Sequence, residues 1–226
     1  MPKNIIFKGS YIFQNILGFY RDFNDIDFNI QTDDNAFNKI YIVREILQEL
    51  NDYGINAIIR EKKSFYQWSK CFYEQEENKF LKLECLVVAP DIIQVEELEI
   101  HSPARDESVI INIPTLEKMF VDKYFSLYYL LSEFIPYNDV RINDTITDLQ
   151  MFCRNKRINK FIDDFDNNSA IIYERVEADN EVYLKQFGKT PYSNKKVIEE
   201  KIFVLISDVK NIELVSFYNK VTILLS

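Results

Sequence analysis

The alternation of apolar and polar positions changes character near residue 114. Before it, short apolar stretches dominate. Asn4-Ile5-Ile6-Phe7-Lys8 reads as a buried strand that runs directly into Gly9-Ser10. A short helix over 11–17 follows, because its apolar positions 12, 13, 16 and 17 keep i, i+3, i+4 spacing, and Gly18 is placed to close it. The run 25–30 alternates with period two. That puts Asp25, Asp27 and Asn29 on one face of a half-buried strand, and Ile26, Phe28 and Ile30 on the other. Asp33-Asp34 offer N-caps for a long helix over 34–52, with Ala36, Ile40, Val43, Leu47 and Leu50 as its stripe and Gly54 as terminator. Segments 55–60, 65–73 and 80–88 read as strands, the last two joined as a hairpin by the polar run 74–79. In 80–88, Lys82 and Glu84 face away from Leu81, Leu83, Cys85 and Val87. Strands over 94–100 and 109–113 complete a mixed sheet.

After Pro114 the pattern turns helical: 115–132, 145–154, 155–164, 170–186 and 193–207 all suit helix, and the apolar tail 215–225 suits helix or strand. The expected class is therefore α+β, a mixed-sheet core over 1–113 followed by a helical lobe over 114–226. Gly and Pro are scarce, and no repeat or low-complexity tract separates the halves.

Composition narrows the chemistry. Lys+Arg 27 against Asp+Glu 36 gives a formal charge of −9, which argues against binding nucleic acid through bulk charge. His101 is the sole histidine, read as structural, so a Ser-His-Asp hydrolase or a multi-His zinc site is disfavoured. Cys71, Cys85 and Cys153 fall in no metal or redox spacing and suggest reduced thiols in a cytosol. No apolar run reaches the ~20 residues of a membrane span, and the N-terminal apolar burst is too short for a signal peptide, so a cytoplasmic location is expected.

Two residues apart on one strand face, Asp25 and Asp27 lie about 6.5 Å apart at Cα and suit a shared pair of cations. An Asp-x-Asp alone is a weak signal, since an ordinary solvated strand edge gives the same pattern. Gly9-Ser10 sharpens it: a glycine between strand and helix lets backbone approach a phosphate, and Ser10 with the first helical amides supplies donors. The ordinary reading there is a tight turn with an N-cap.

Strand, Gly-Ser turn, helix, then Asp-x-Asp on the next strand is the arrangement of the DNA-polymerase-beta-like nucleotidyltransferase superfamily. More narrowly, Phe7-Lys8-Gly9-Ser10 followed by Arg21-Asp22-Phe23-Asn24-Asp25-Ile26-Asp27-Phe28 resembles the opening motif of the AbiEii/AbiGii toxin family. Phe23 stands where that family usually has Ser or Thr. Leu81-Lys82-Leu83-Glu84-Cys85 resembles the strand carrying its third carboxylate. The stretch 113–130 resembles its next block, a helix centred on a lysine, here Lys123. Lys123 is conspicuous in its own right, since Leu116, Met119, Phe120, Leu127 and Leu130 place it within the apolar stripe, where lysines are rare unless paired. The segment from Arg141 through Asp144 to Asp148-Leu149 resembles the fourth block. Its acids are four apart instead of three, so Asp148 alone aligns, as a partner for Lys123 or the nucleotide. Asp144 is equally an N-cap for a helix starting at Thr145.

The resemblance touches residues 5 to 150. It implies a nucleotidyltransferase in which Asp25, Asp27 and Glu84 hold two Mg²⁺ ions, and Gly9, Ser10 and Lys123 hold a nucleoside triphosphate. It also implies an RNA or tRNA acceptor, and a role as toxin of an abortive-infection or toxin–antitoxin pair, restrained by an antitoxin protein. Two alternatives stay open: a catalytically silent fold that binds nucleotide or protein, and a modifier of small molecules such as an antibiotic. Two basic clusters (Arg154, Lys156, Arg157, Lys160, and Lys185, Lys189, Lys195, Lys196, Lys201) read as solvated helix faces, with tRNA docking as the alternative.

Overall fold

A computed structural model describes residues 4–18, 25–31, 48, 52, 57–60, 69–75, 79–88, 94–102, 107–132 and 134–226. Of the expected helix over 34–52, only Gln48 and Asp52 are described, both helical and joined by a 2.8 Å hydrogen bond; the rest, with Arg21 and Phe23, lies outside the described residues. The chain divides into two compact units, residues 1–115 and 116–226, two residues from the break expected at 113/114.

The first unit is built on β1 (Asn4–Lys8), α1 (Ser10–Leu17), β2 (Asp25–Gln31), β3 (Ala57–Arg60), β4 (Ser69–Gln75), β5 (Lys79–Val88), β6 (Val95–Ser102) and β7 (Glu107–Pro114). The seven strands form one mixed sheet in the order β3-β4-β5-β2-β1-β7-β6. Pairings β2–β5 and β1–β7 are parallel, and the other four are antiparallel. The polar run expected to turn the hairpin does join β4 to β5, which pair antiparallel from Gln75↔Lys79 onward.

β2 departs from the half-buried strand expected of its alternation. Phe28 and Ile30 are buried on one face, as the pattern predicts, but Asn29 and Gln31 on the other are 6% and 7% exposed. The reason is position. β2 is the middle strand of seven, and alternation shows which residues share a face, not what covers it.

The second unit is all helical. It comprises α2 (Leu116–Leu131), α3 (Asp139–Phe152), α4 (Lys156–Asp163), α5 (Phe165–Asn168), α6 (Ala170–Phe187), a 3-10 turn (Pro191–Asn194), α7 (Lys195–Asp208) and α8 (Ile212–Leu225). The tail left open as helix or strand is thus helix. α2 is central, touching α3, α4, α6 and α7. Its Phe120 and Tyr124 meet Phe217 of α8 at ring-centroid distances of 4.7 and 4.9 Å, with Phe152 and Phe161 closing around Phe120. Asparagine caps set three helix starts: Asn138, Asn155 and Asn211 accept from the amides of Arg141, Arg157 and Leu214.

The first of these caps corrects the expected start at Thr145. The helix begins six residues earlier, so Asp144 lies in its second turn and is not its N-cap. Cys153 is buried and unpaired in a disulfide, and burial pushes its thiol up to about 12, which keeps it protonated and unreactive. No helix among the described residues is long and apolar enough to cross a membrane.

Charged residues of α2 are tied to other helices. Arg157 forks onto Glu117 with two 2.6 Å hydrogen bonds. Asp122 accepts from Lys118 one turn away and from Arg175 of α6 at 3.0 Å, and Arg175 also bonds Asp179, which receives the Tyr192 hydroxyl at 2.6 Å. Burial alone would raise the Asp122 carboxyl, but Arg175 and Lys118 hold it below its ordinary 3.8. A carboxyl lowered in the folded state adds stability that is complete above its unfolded value and is lost as pH falls through the folded one. Arg175→Gln is therefore expected to lower stability at neutral pH, with the gap to the wild type narrowing below about pH 4. Urea denaturation across a pH series measures this; a gap that stays constant with pH contradicts it.

Candidate active site

The acids of the first unit converge through strand register. In the parallel pair β2–β5, Asp27 stands opposite Glu84 and Asp25 opposite Lys82. Directly paired residues share a face, so Asp25, Asp27 and Glu84 occupy one face of two central strands, with Asp27 and Glu84 one strand spacing, about 4.8 Å, apart. On the other flank β1 puts Lys8 opposite Asp27. Lys8 is absent from the residues that spacing singled out for the site. Its signal was the Lys-Gly-Ser turn itself, since the last residue of β1 must sit beside whatever the turn approaches.

The turn approaches Asp27. Gly9 adopts φ +86°, and a Cβ built there would lie 2.6 Å from Asp27 Oδ2. Only a residue without a side chain fits both the left-handed backbone and this approach. The Gly9 carbonyl accepts from the amides of Ile12 and Phe13 at 3.1 and 3.3 Å and so starts α1, directing the first turn of that helix to the same end of the sheet as Asp27. Ile12 and Phe13 are buried, anchoring α1 in the first unit. Two residues along the Asp27 face, Asn29 Oδ1 is buried with no hydrogen-bond partner among the described residues.

These residues suit a hard divalent cation such as Mg²⁺. The donor set is all oxygen, three carboxylates sit at adjacent register positions, and an orphaned buried oxygen lies on the same face. Among the described residues, no group of three His, Cys, Asp or Glu is clustered closely enough to hold a metal ion; the side chains of Asp25, Glu84 and Ser10 lie outside what is described.

Lys123 and Asp148 belong to the second unit, where they form an ion pair at 2.7 Å. Lys123 is 22% exposed at its side chain and Asp148 only 3%, so the lysine that interrupts the apolar stripe of α2 does so to meet a buried carboxylate on α3. His101 lies exposed on the edge strand β6. Within the two basic clusters, Arg157 is engaged by Glu117, and Lys195 lies 3.6 Å from Glu199.

No family model and no curated protein matches the chain. Among solved structures, it is similar over 68% of its length to the nucleotidyltransferase toxin MenT4 of Mycobacterium tuberculosis, with 17% identity and a TM-score of 0.46. That match spans 51% of MenT4, about half its length. An antigenic nucleotidyltransferase-like protein of Paracoccidioides brasiliensis is similar over 67% of each chain, with 11% identity and a TM-score of 0.44. The resemblance to the AbiEii/AbiGii family rests on the residues quoted for it above.

Two stability measurements test this geometry. Gly18→Ala, at φ +63° with open space around it, is expected to cost about 1 kcal/mol of backbone strain. Gly9→Ala adds the clash with Asp27 and is expected to cost about 3 kcal/mol; equal losses for the two contradict the close approach. Lys123→Met removes the ion pair from a nearly inaccessible carboxylate, with an expected loss of about 3 kcal/mol, largely recovered by Lys123→Met/Asp148→Leu. Urea unfolding of the four proteins reads both effects.

Proposed function

We propose that the protein is a Mg²⁺-dependent nucleotidyltransferase that moves a nucleoside monophosphate from a nucleoside triphosphate to an acceptor hydroxyl on RNA. The observation that carries this reading is the register that aligns Asp27 with Glu84 beside the Gly9 turn. Asp25, Asp27 and Glu84 are the metal ligands of the proposal. Mg²⁺ bound by them supplies stabilisation of the charge that develops on the attacking and leaving oxygens.

The chain's own groups do the rest. The amides opening α1 and the Ser10 hydroxyl receive phosphate oxygens, with Gly9 leaving room for them. Glu84 takes the proton of the acceptor hydroxyl at a carboxylate oxygen as the new bond to the α-phosphorus forms. The bond from that phosphorus to the bridging oxygen breaks, and pyrophosphate leaves with the electron pair. The family resemblance assigns Lys123, ion-paired with Asp148 at 2.7 Å, to the triphosphate. In the same reading the protein acts inside the cell as the toxin of a toxin–antitoxin or abortive-infection pair, opposed by an antitoxin protein.

A catalytically silent fold has one observation in its favour: Lys8 opposite Asp27 and Lys70 opposite Glu84 give each acid a basic cross-strand neighbour without any metal. Incubation with Mg²⁺, each α-³²P-labelled nucleoside triphosphate and total RNA separates the two. Label is expected on RNA with the wild type, at least about a hundredfold less with Asp27→Asn, and none without Mg²⁺. Equal labelling by Asp27→Asn refutes the proposed site, and no labelling of any acceptor by the wild type favours the silent fold.

A further inference from the structure

The register that aligns the acids continues across the sheet. Opposite Glu84 on β4 stands Lys70, and opposite Lys70 on β3 stands Arg60. With Lys8 opposite Asp27, one face carries the cross-strand row Arg60, Lys70, Glu84, Asp27, Lys8 over five adjacent strands.

The signs in this row are grouped, not alternated. Opposite charges on directly paired residues stabilise a sheet, and like charges there destabilise it. A row built for ion pairing alone would alternate. This one instead contains two like-charged pairs, Glu84 with Asp27 and Arg60 with Lys70. The cation of the proposed site would relieve the acid pair, and an anion on the β3 side of the sheet would relieve the basic pair in the same way. From strand spacing, Lys70 and Arg60 lie about 10 and 14 Å across the sheet from Asp27, on the side away from the Gly9 turn.

We infer that Lys70 and Arg60 form a two-point binding track for consecutive phosphates of the acceptor strand. The inference rests on the nucleotidyltransferase reading for the identity of the ligand as acceptor. The row then sorts by role. Lys8 and the α1 amides are on the donor side, the acids lie in the middle, and the basic pair is on the acceptor side. It makes the acceptor a phosphodiester chain, since a cationic small molecule such as an aminoglycoside is repelled by two basic positions. Lys70 and Arg60 are positioning residues, since they do not touch the reacting atoms.

Fluorescence anisotropy with a short fluorescein-labelled oligouridylate, measured over a salt series, tests the track. For the wild type, log K is expected to fall linearly with log salt. Arg60→Gln/Lys70→Gln is expected to flatten that slope by about 1.4, two phosphates at about 0.7 each for a single strand, and to weaken binding about tenfold at low salt. Arg60→Lys/Lys70→Arg should restore the slope, which separates charge from folding. An unchanged slope in the Gln variant, or a Gln variant that the charge-preserving one does not rescue, overturns the track. So does kanamycin bound more tightly by the wild type than by the Gln variant.

A matched oligodeoxythymidylate distinguishes the source of the phosphates. Equal slopes for both strands support recognition through phosphate alone, and a track that acts on DNA but not on RNA overturns the acceptor role. The Mg²⁺- and nucleotide-dependent rise in Tm of the same Gln variant keeps the two readings apart. Retained rise with a lost RNA slope supports the track. A wild type that binds oligouridylate but shows no such rise refutes the nucleotidyltransferase reading and leaves only a nucleic-acid-binding face.

Discussion

Parallel pairing of β2 with β5, while β2 also pairs antiparallel with β1, is the constraint on which the candidate site depends. It fixes two carboxylates opposite each other on one face at a single strand spacing, an arrangement that like-charge repulsion opposes. A second cost is met at the same point, where Gly9 takes a left-handed backbone against the Asp27 carboxylate. A third is the buried Oδ1 of Asn29 two residues along, which has no hydrogen-bond partner among the described residues. Each can be met in an ordinary fold. Together on one end of one strand they describe a place where stability is given up for an arrangement of oxygens, as happens where a ligand later repairs the deficit.

Much of the first unit was legible because its signals are local. Period-two alternation located β2, apolar composition located β1, and the polar run 74–79 located the β4–β5 hairpin. Face membership of Glu84 was legible too, through its alternation with Leu83 and Cys85. Its alignment with Asp27 was not. Two strands, β3 and β4, intervene between β2 and β5 in the chain, and a shift of one residue would send Glu84 to the other face. Lys70 and Arg60 were invisible for the same reason, since each is an ordinary basic residue until register places Lys70 opposite Glu84 and Arg60 opposite Lys70. The buried polar face of Asn29 and Gln31 escaped because alternation reports periodicity and carries no information on strand order. The start of α3 was misread because Asn138, Asp139 and Asp144 are all good capping residues, and only the bond from the Arg141 amide distinguishes Asn138.

In the helical unit, α2 carries a polar problem inside an apolar one. A helix packed by four others must account for each charge it brings inward. Here three are answered from another helix, Glu117 by Arg157 of α4, Asp122 by Arg175 of α6 and Lys123 by Asp148 of α3, and the fourth, Lys118, by Asp122 one turn along. Such pairs add little net stability over apolar substitutes, but losing one partner is costly, so they hold the helices in one register around α2. Arg175 extends the effect by joining Asp122 to Asp179, and Tyr192 links that network to the 3-10 turn. Lys123 is distinguished from the other charges by the depth of its partner, at 3% exposure.

The overall charge of −9 gives the basic pair on the acid face its significance. Long-range attraction cannot bring a polyanion to an acidic protein, and screening removes most of what acts beyond about 8–10 Å at physiological salt. A phosphodiester strand that binds must be held by basic residues close enough to act within that distance and arranged so that the acids do not cancel them. Alternating signs would cancel. Grouping keeps the basic pair at the sheet edge effective while the acids beside it stay available to cations. The row therefore gives an acidic protein a place beside the carboxylates for an anionic partner, and salt sensitivity there should count a few phosphates, not the many that a basic nucleic-acid-binding surface would neutralise.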